Sequence, residues 1–299
     1  MTLQEVYQQG KKFLEQAGIE SPAFDAICLF HKVFGMDRQA LILKGNEAAH
    51  EEKAEIYAQL IRLRAEKTPL QYLLGSWEFM DFSLKVGEGV LIPREETELL
   101  VYTAVNKWKQ NRCKTLEKPV VVDLCAGTGA VGIGIYKLLP TAEVFCVEKY
   151  EKALFYLQEN ILQHGDHIHI VTADVLSERS VFLQSWTQQT GEFLEQQGID
   201  LLVSNPPYIA QAELETLQEE VKREPQTALD GGKDGLKFYR AIVENWLPFL
   251  KKEGIIAVEI GQDQGSAVSN LFQQASLKEI EVWKDFNGLD RVVSGIKKI

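Results

Sequence analysis

A short apolar segment that runs into a glycine turn constrains the fold of this chain more than any other feature. Residues 120–129 read Val-Val-Val-Asp-Leu-Cys-Ala-Gly-Thr-Gly. The apolar run predicts a buried strand at 120–124, and the two glycines predict a tight turn into the helix that follows. Downstream, apolar strands alternate with helical segments, which is the pattern of a parallel sheet covered by helices on both faces.

We therefore predict an α/β fold with a doubly wound, mostly parallel sheet. A short β-rich segment at 279–283 and 291–293 predicts an antiparallel edge to that sheet. The other predicted strands lie at 143–147, 168–171, 201–204 and 254–260, and the predicted helices at 131–139, 151–164 and 236–250.

The first 75 residues have a different, helical periodicity, with apolar residues at helical spacing in the stretches 3–17, 22–34 and 47–64. Residues 77–86 then nearly alternate apolar and polar, with a slip at Met80-Asp81 that we interpret as a bulge in an antiparallel hairpin. The predicted parts are a helical domain at 1–75, a β-hairpin linker at 76–93 and an α/β domain at 94–299.

Charge and cysteine usage restrict the partners and the compartment. The formal net charge is -11 at pH 7, which is the wrong sign for general binding to a phosphate backbone, so we expect no direct contact with nucleic acid. No apolar run approaches the ~20 residues of a membrane span, and the N-terminus lacks a signal pattern, so we expect no membrane association. The cysteines at 28, 113, 125 and 146 form no CxxC pair. They predict reduced thiols in a cytoplasmic protein and no metal site.

The glycine turn has the features of a cofactor loop. Gly127 and Gly129 allow positive φ and let a ligand approach the backbone, and the following helix presents its N–H groups. Glu148 ends the next strand, 21 residues after Gly127 (148 − 127), where a carboxylate can accept hydrogen bonds from ribose hydroxyls. Asp123 can accept from an amino group or water, but it would repel a pyrophosphate. The pattern Asp-Leu-x-x-Gly-x-Gly resembles that of S-adenosylmethionine-dependent methyltransferases.

Two nearby residues allow more than one interpretation. Asp174 follows the third strand and could accept from an adenine amino group, with Val175 donating from its backbone. Capping of a following turn is an equally open role for Asp174. We interpret Cys125 as a small buried residue rather than a nucleophile.

Residues 205–208, Asn-Pro-Pro-Tyr, follow an apolar strand. The two prolines make the loop stiff, because they fix φ and hold the preceding residue extended. An amide or an exocyclic amine is a poor nucleophile, but its nitrogen carries two N–H donors. The side-chain oxygen of Asn205 and the carbonyl of Pro206 can accept both, and Tyr208 can pack flat on the planar acceptor. The loop therefore predicts methyl transfer to a planar –NH2 nitrogen.

Together these motifs resemble those of the HemK/PrmC-type protein-(glutamine-N5) methyltransferases, which modify peptide chain release factors. The resemblance extends to further segments, namely 68–72 (Thr-Pro-Leu-Gln-Tyr), 91–98 (Leu-Ile-Pro-Arg-Glu-Glu-Thr-Glu), 224–232, 234–236 and 290–291. It implies a class I S-adenosylmethionine-dependent methyltransferase fold and a substrate-amide clamp at Asn205, Pro206, Pro207 and Tyr208. It implies a cofactor site formed by Asp123, Cys125, Ala126, Gly127, Thr128, Gly129, Glu148, Asp174, Val175 and Asn205.

The implied acceptor is the glutamine of a Gly-Gly-Gln motif in a release factor, and the implied product is S-adenosylhomocysteine. The resemblance also implies that the helical residues 1–75 form a substrate-recognition domain and that residues 94–299 form the methyltransferase catalytic domain; a packing role alone is the alternative for residues 1–75. We expect a monomer. Three residues depart from the family: Cys125 where glycine is frequent, Val175 where an aromatic is frequent, and Glu148 where aspartate is frequent. The alternatives are a glutamine methyltransferase for a ribosomal protein, an N6-adenine nucleic-acid methyltransferase, and a binding module that has lost activity. The signature of the ribosomal-protein methyltransferases lacks, after its Pro-Arg, the Glu-Thr-Glu that residues 96–98 of this chain supply.

Overall fold

The computed structural model describes residues 1–111, 118–191, 194 and 198–298 of the chain; Cys113 lies outside them. The chain divides into two compact units. The first comprises Met1–Trp77, Val86–Glu88 and Gln218–Glu224, and the second Glu78–Lys85, Gly89–Leu217 and Pro225–Ile299. The predicted domain boundaries at 75 and 93 stay a prediction, and sequence reasoning did not foresee that Gln218–Glu224 belongs to the first unit.

Helices form most of the first unit. The hydroxyl of Thr2 and the side chain of Glu5 cap the first helix reciprocally. Pro22 begins the second helix, and Gly35, at φ 70°, ends it. Two short helices, the third and the fifth, were not predicted, because each is too brief to show a period. The five helices are α1 Leu3–Gln16, α2 Pro22–Phe34, α3 Arg38–Lys44, α4 Glu51–Ala65 and α5 Leu70–Leu74.

A buried arginine holds the segment Gln218–Glu224 within the first unit. The guanidinium of Arg64 lies 2.6 Å from Asp25 Oδ2 and 2.6 Å from Glu220 Oε1. It also donates to the carbonyl of Thr68 at 3.2 Å. Burial is the main cause that raises the pKa of Asp25, and the charge of Glu220 adds to it, although the neighbouring Arg64 lowers it; the pair is therefore well shielded from water.

The strands of the second unit form one large sheet. Its strands are β3 Val120–Leu124, β4 Glu143–Glu148, β5 Ile168–Thr172, β6 Ile199–Ser204, β7 Leu250–Glu259, β8 Leu277–Lys284 and β9 Asp290–Lys297. Their order in the sheet is β5-β4-β3-β6-β7-β9-β8, parallel from β5 to β7 and antiparallel at β9 and β8. This confirms the predicted doubly wound sheet with an antiparallel edge.

Two short strands, β1 Ser76–Phe79 and β2 Phe82–Lys85, form a separate two-stranded sheet. The predicted bulge at Met80-Asp81 is wrong, because these two residues form the turn itself. Met80 has a φ of 53°, and its N–H donates to Glu98 Oε1 at 2.8 Å. The slip in alternation therefore marks the reversal of the chain.

The predicted continuous helix at 236–250 is also wrong. The helix that begins at Lys237 ends at Ala241, a wider π turn covers Ile242–Trp246, and the strand β7 already begins at Leu250. Pro248 has no N–H to continue a helix. The helices Thr97–Asn111 and Gly265–Gln274 were not predicted. The helices of the second unit are α6 Thr97–Asn111, α7 Ala130–Leu138, α8 Glu151–His164, α9 Arg179–Thr190, α10 Lys237–Ala241 and α11 Gly265–Gln274.

Both faces of the central strands are covered. All five residues of β3 and all six of β6 are buried, as expected for a parallel sheet between two helical layers. The carboxyl ends of β3, β4 and β6 therefore meet at one edge, where doubly wound sheets bind ligands. Among the helices in the described part of the chain, none is long and apolar enough to cross a membrane.

Candidate active site

A cleft in the second unit opens at the carboxyl ends of β3, β4, β5 and β6. It contains about 950 Å³ of empty space, including the part open to solvent, which is within the range of small-molecule sites. Gly129, Pro206 and Tyr208 are not among the residues that line it. The predicted site residues that do line it are Asp123, Cys125, Ala126, Gly127, Thr128, Glu148, Asp174, Val175, Asn205 and Pro207.

The glycine turn after β3 uses its two glycines differently. Gly127 has a φ of 57°, and a Cβ built there would meet nothing nearer than Val90 Cγ2 at 3.9 Å. Its backbone is therefore open to a ligand. Gly129 has a φ of 84°, and a Cβ there would lie 2.7 Å from Leu157 Cδ1. This second glycine permits the turn to pack closely against α8 rather than to contact a ligand.

Cys125 occupies the backbone conformation that glycine favours, with a φ of 59°. A non-glycine residue pays roughly 1–2 kcal/mol in that region. The turn thus takes the shape that a glycine would give it. Burial raises the pKa of the Cys125 thiol, and the charges of Glu148 and Asp123 raise it further. The thiol stays neutral and is unsuited to act as a nucleophile.

Asp123 lies buried at the carboxyl end of β3. Its Oδ2 accepts the N–H of Gly132 at 2.9 Å, which ties the strand to α7. Burial raises the pKa of Asp123 to about 7, the charge of Glu148 adds to the rise, and the Gly132 N–H opposes it. The predicted contact of Asp123 with an amino group or water stays a prediction.

The carboxylate of Glu148 organises the backbone around the end of β4. Its Oε2 accepts the N–H of Gly127 at 2.9 Å. Its Oε1 accepts the N–H groups of Lys149 at 2.7 Å and Tyr150 at 2.9 Å. Each carboxylate oxygen can accept more than one hydrogen bond, so Glu148 retains capacity for a ligand hydroxyl.

Asp174 makes two contacts beyond β5. Its Oδ1 accepts the N–H of Leu176 at 2.9 Å, which is the turn-capping role left open by the sequence. Its Oδ2 lies 2.7 Å from Lys149 Nζ. Val175 is buried beside it, and the Val175 carbonyl accepts the indole N–H of Trp246 at 3.2 Å. Contact of this pair with an adenine stays a prediction.

The Asn-Pro-Pro-Tyr loop is fixed at both ends. Before it, the hydroxyl of Ser204 donates to the Leu124 carbonyl at 2.7 Å, which joins the ends of β6 and β3. After it, the Tyr208 carbonyl accepts from Gln264 Nε2 at 2.9 Å. A Cβ at Gly231 would lie 2.7 Å from the Tyr208 backbone, so the glycine of the 224–232 motif permits a close approach of two chain segments. Burial raises the pKa of the Tyr208 phenol above its usual value, so the phenol is neutral.

Sequence reasoning did not assign a role to two buried residues behind Asn205. Asn205 Nδ2 donates to Thr97 Oγ1 at 3.2 Å, and the Thr97 hydroxyl is hydrogen-bonded to the carboxylate of Glu259. Burial raises the pKa of Glu259 to about 7. Thr97 lies in the 91–98 motif, and this position could have indicated a functional role. Nothing in the sequence pointed to Glu259 at the end of β7.

The chemistry of the cleft fits S-adenosylmethionine. Three carboxylates, those of Asp123, Glu148 and Asp174, line a largely apolar cleft whose glycine turn is open to a ligand. Carboxylates suit hydroxyl, amino and cationic groups, and they disfavour phosphates. A nucleoside with a sulfonium side chain has the first three kinds of group and no phosphate.

Two family models match the chain: the PrmC N-terminal domain over residues 5–75, and the Methyltransferase small domain over residues 110–233. Among solved structures, the catalytic domain of hMettl16 in complex with the MAT2A 3'UTR hairpin 6 has a TM-score of 0.52. At 13% identity, the similarity covers 82% of this chain and 81% of that one. That level of identity concerns the fold alone, and with the second family model it confirms the predicted methyltransferase fold class.

Curated relatives match over nearly the whole length. A protein of Clostridium botulinum named release factor glutamine methyltransferase is 37% identical over 300 residues, covering 99% of this chain and all of that one. A protein of the same name from Geobacter sulfurreducens is 35% identical, covering 98% of this chain and 96% of its own.

Proposed function

The chain belongs to the family of release factor glutamine methyltransferases, and we propose that it methylates the Gly-Gly-Gln glutamine of peptide chain release factors. The methyl group goes to the side-chain amide nitrogen, N5, and comes from S-adenosylmethionine. One observation carries the proposal. Asn205 and Pro207, two residues of the proposed amide clamp, line the same cleft as Gly127 and Glu148 of the proposed nucleoside site, whereas Pro206 and Tyr208 do not line it.

Specific residues of the cleft serve the cofactor. Gly127 lets the ligand approach the backbone, Glu148 accepts from the ribose hydroxyls, and Asp174 with Val175 faces the adenine. When bound, S-adenosylmethionine supplies a methyl group activated by its positive sulfur. The carboxylates of Asp123 and Glu148 favour a cation in this cleft.

The loop at 205–208 serves the acceptor. The Oδ1 of Asn205 and the carbonyl of Pro206 accept the two N–H groups of the glutamine amide, and Tyr208 packs against its plane. This arrangement aims the nitrogen lone pair at the methyl carbon and stabilises the positive charge that develops on the nitrogen. Transfer to the nitrogen would release one amide proton to solvent and leave S-adenosylhomocysteine as the product.

The partner is a protein rather than a nucleic acid. The formal net charge of -11 supports this, because no phosphate backbone needs to be bound. We assign recognition of the release factor to the helical residues 1–75. The enzyme acts as a monomer in the cytoplasm, where release factors work.

A methyl-transfer assay tests the proposal. Purified protein, S-adenosylmethionine with a labelled methyl group and a purified release factor are mixed, and the Gly-Gly-Gln peptide is analysed by mass spectrometry. We expect one methyl group on the glutamine, and none when that glutamine is replaced by alanine. Incorporation into ribosomal protein or nucleic acid, with none into the release factor, would contradict the proposal.

A further inference from the structure

Asn205 is hydrogen-bonded to Thr97, and Thr97 to Glu259. The direction of these hydrogen bonds decides which end of the Asn205 carboxamide faces the acceptor. We propose that Thr97 and Glu259 are positioning residues, which fix the Asn205 carboxamide with its oxygen toward the acceptor amide. This inference rests on the proposed function and concerns how the same site selects its substrate.

The two ends of the Asn205 carboxamide have nearly the same shape and opposite hydrogen-bonding character. Only the oxygen end can accept an N–H of a glutamine amide, and the nitrogen end would oppose it. The clamp therefore needs a device that distinguishes the two orientations. In the structure, Nδ2 of Asn205 donates to Thr97 Oγ1 at 3.2 Å.

Thr97 can receive that hydrogen bond because its own hydroxyl proton is already used. A hydroxyl has one donor and two lone pairs, and an ionised carboxylate only accepts. When Glu259 is ionised, the hydrogen bond between Thr97 and Glu259 therefore runs from the hydroxyl to the carboxylate. This leaves Thr97 Oγ1 with lone pairs only, which bind Nδ2 of Asn205 and leave Oδ1 for the substrate.

Both positioning residues are buried, with Thr97 at 3% and Glu259 at 2% exposure. The second carboxylate oxygen, Glu259 Oε2, has no hydrogen-bond partner among the described residues. A buried carboxylate that is only half satisfied is costly and calls for a functional reason. The charged and titratable groups that act on Glu259 are Arg291, Glu96, Arg94, Tyr208 and Tyr239.

Replacing Glu259 by its amide tests the direction of the hydrogen bonds from Asn205 to Thr97 and from Thr97 to Glu259. In Glu259→Gln, the new Nε2 can donate to Thr97, whose hydroxyl is then free to donate to Asn205 Oδ1. The Asn205 carboxamide is then no longer held in one orientation and can offer N–H groups to the acceptor. We expect turnover at saturating substrates to fall about 10- to 100-fold, because two buried donors oppose each other. Binding of S-adenosylmethionine, measured by calorimetry, should not change.

Thr97 gives an independent pair of variants. Thr97→Val preserves the side-chain shape but removes the hydroxyl, so turnover should fall to a similar extent. Thr97→Ser retains the hydroxyl and should recover most of that loss. Glu244→Gln, which removes an exposed carboxylate, is the matched control for Glu259→Gln and should behave as wild type.

Binding of a Gly-Gly-Gln peptide in the presence of S-adenosylhomocysteine gives a readout that does not depend on turnover. We expect the affinity of Glu259→Gln for the peptide to be about 10-fold lower than that of wild type. Wild-type turnover and peptide affinity in Glu259→Gln and Thr97→Val would overturn the inference. So would a loss of S-adenosylmethionine binding that matches the loss of turnover, because the pair would then shape the cofactor site. A failure of the proposed function looks different, because the wild-type protein itself would leave the release factor unmethylated.

Discussion

Glu148 Oε2 accepts the backbone N–H of Gly127 at 2.9 Å, which joins the end of β4 to the glycine turn after β3. The same carboxylate accepts two further N–H groups, from Lys149 and Tyr150. One side chain thus sets the shape of the turn while it also faces the cleft. The predicted role of Glu148 as a ribose acceptor and its structural role are compatible, since both use its carboxylate oxygens as hydrogen-bond acceptors.

The first prediction concerns Glu148→Gln. In the wild type, backbone N–H groups donate to both oxygens of Glu148. The variant replaces one of these oxygens by an –NH2 group, which cannot accept, so both the turn and the ribose contact are weakened. We expect the Kd for S-adenosylmethionine, measured by calorimetry, to rise about 10- to 100-fold, as for the loss of hydrogen bonds to a charged group. Glu215→Gln, at an exposed position, should bind as wild type. Equal affinities in the two variants would show that Glu148 has no part in binding.

The second prediction separates the acceptor clamp from the cofactor site. Asn205→Ala removes the oxygen proposed to accept an N–H of the glutamine amide. We expect turnover to fall by about 100-fold or more, whereas S-adenosylmethionine still binds. Single-turnover methyl transfer and calorimetry measure the two quantities separately. Asn270→Ala on the exposed side of α11 is the control. Turnover at the wild-type rate in Asn205→Ala would remove the clamp from the proposed mechanism.

Local motifs made the cofactor turn predictable. The strand, the turn and the acidic residue at the end of the next strand lie within 29 residues (148 − 120 + 1), and their spacing reflects backbone geometry. The strand segments of the sheet were predictable for the same reason. The broken helix after residue 236 was not, because apolar spacing does not distinguish an α-helix from a π turn that ends in a strand.

Contacts between distant segments were beyond the sequence patterns. Thr97 and Glu259 meet through the packing of α6 on the sheet, and no spacing links their positions. Likewise, Gln218–Glu224 belongs to the first unit through Arg64, although the segment is polar and short. The helix α11 is a different case. Its buried Val268 and Phe272 have helical spacing, so the signal was present and was missed.

The third prediction concerns the stability of the first unit. Arg64 is 4% exposed and pairs with the buried Asp25. In Arg64→Ala, the Asp25 carboxylate is left in the interior without its cation. We expect the free energy of unfolding of this unit to fall by about 3–5 kcal/mol. Urea denaturation followed by circular dichroism should show an earlier loss of helix.

The control for Arg64→Ala is an ion pair on the surface of the same unit. Lys222 lies 2.8 Å from the exposed Glu219, and water screens such a pair effectively. Lys222→Ala should unfold at the urea concentration of wild type. If Arg64→Ala also did so, the interior ion pair would contribute nothing to the stability of the unit.

The fourth prediction is a pH dependence with opposite signs for turnover and stability. Burial raises the pKa of Glu259 to about 7 from an ordinary value of 4.5. The ionised carboxylate can only accept the hydroxyl of Thr97, and this fixes the orientation of the Asn205 carboxamide. Turnover at saturating S-adenosylmethionine should therefore rise with pH through about 7. A protonated carboxyl can itself donate to Thr97, which releases the Asn205 carboxamide from its orientation. The rising limb should be absent in Glu259→Gln.

Stability should change in the other direction. A carboxyl whose folded-state pKa is raised binds its proton more tightly when folded. Its contribution to stability is therefore complete below about pH 4.5 and is lost as the pH rises to about 7. The loss amounts to at most about 3 kcal/mol, from 1.36 kcal/mol for each pKa unit. Asp123 titrates in the same range, so Glu259→Gln should reduce the slope of unfolding free energy against pH without abolishing it. An unchanged slope in Glu259→Gln would contradict the assigned titration.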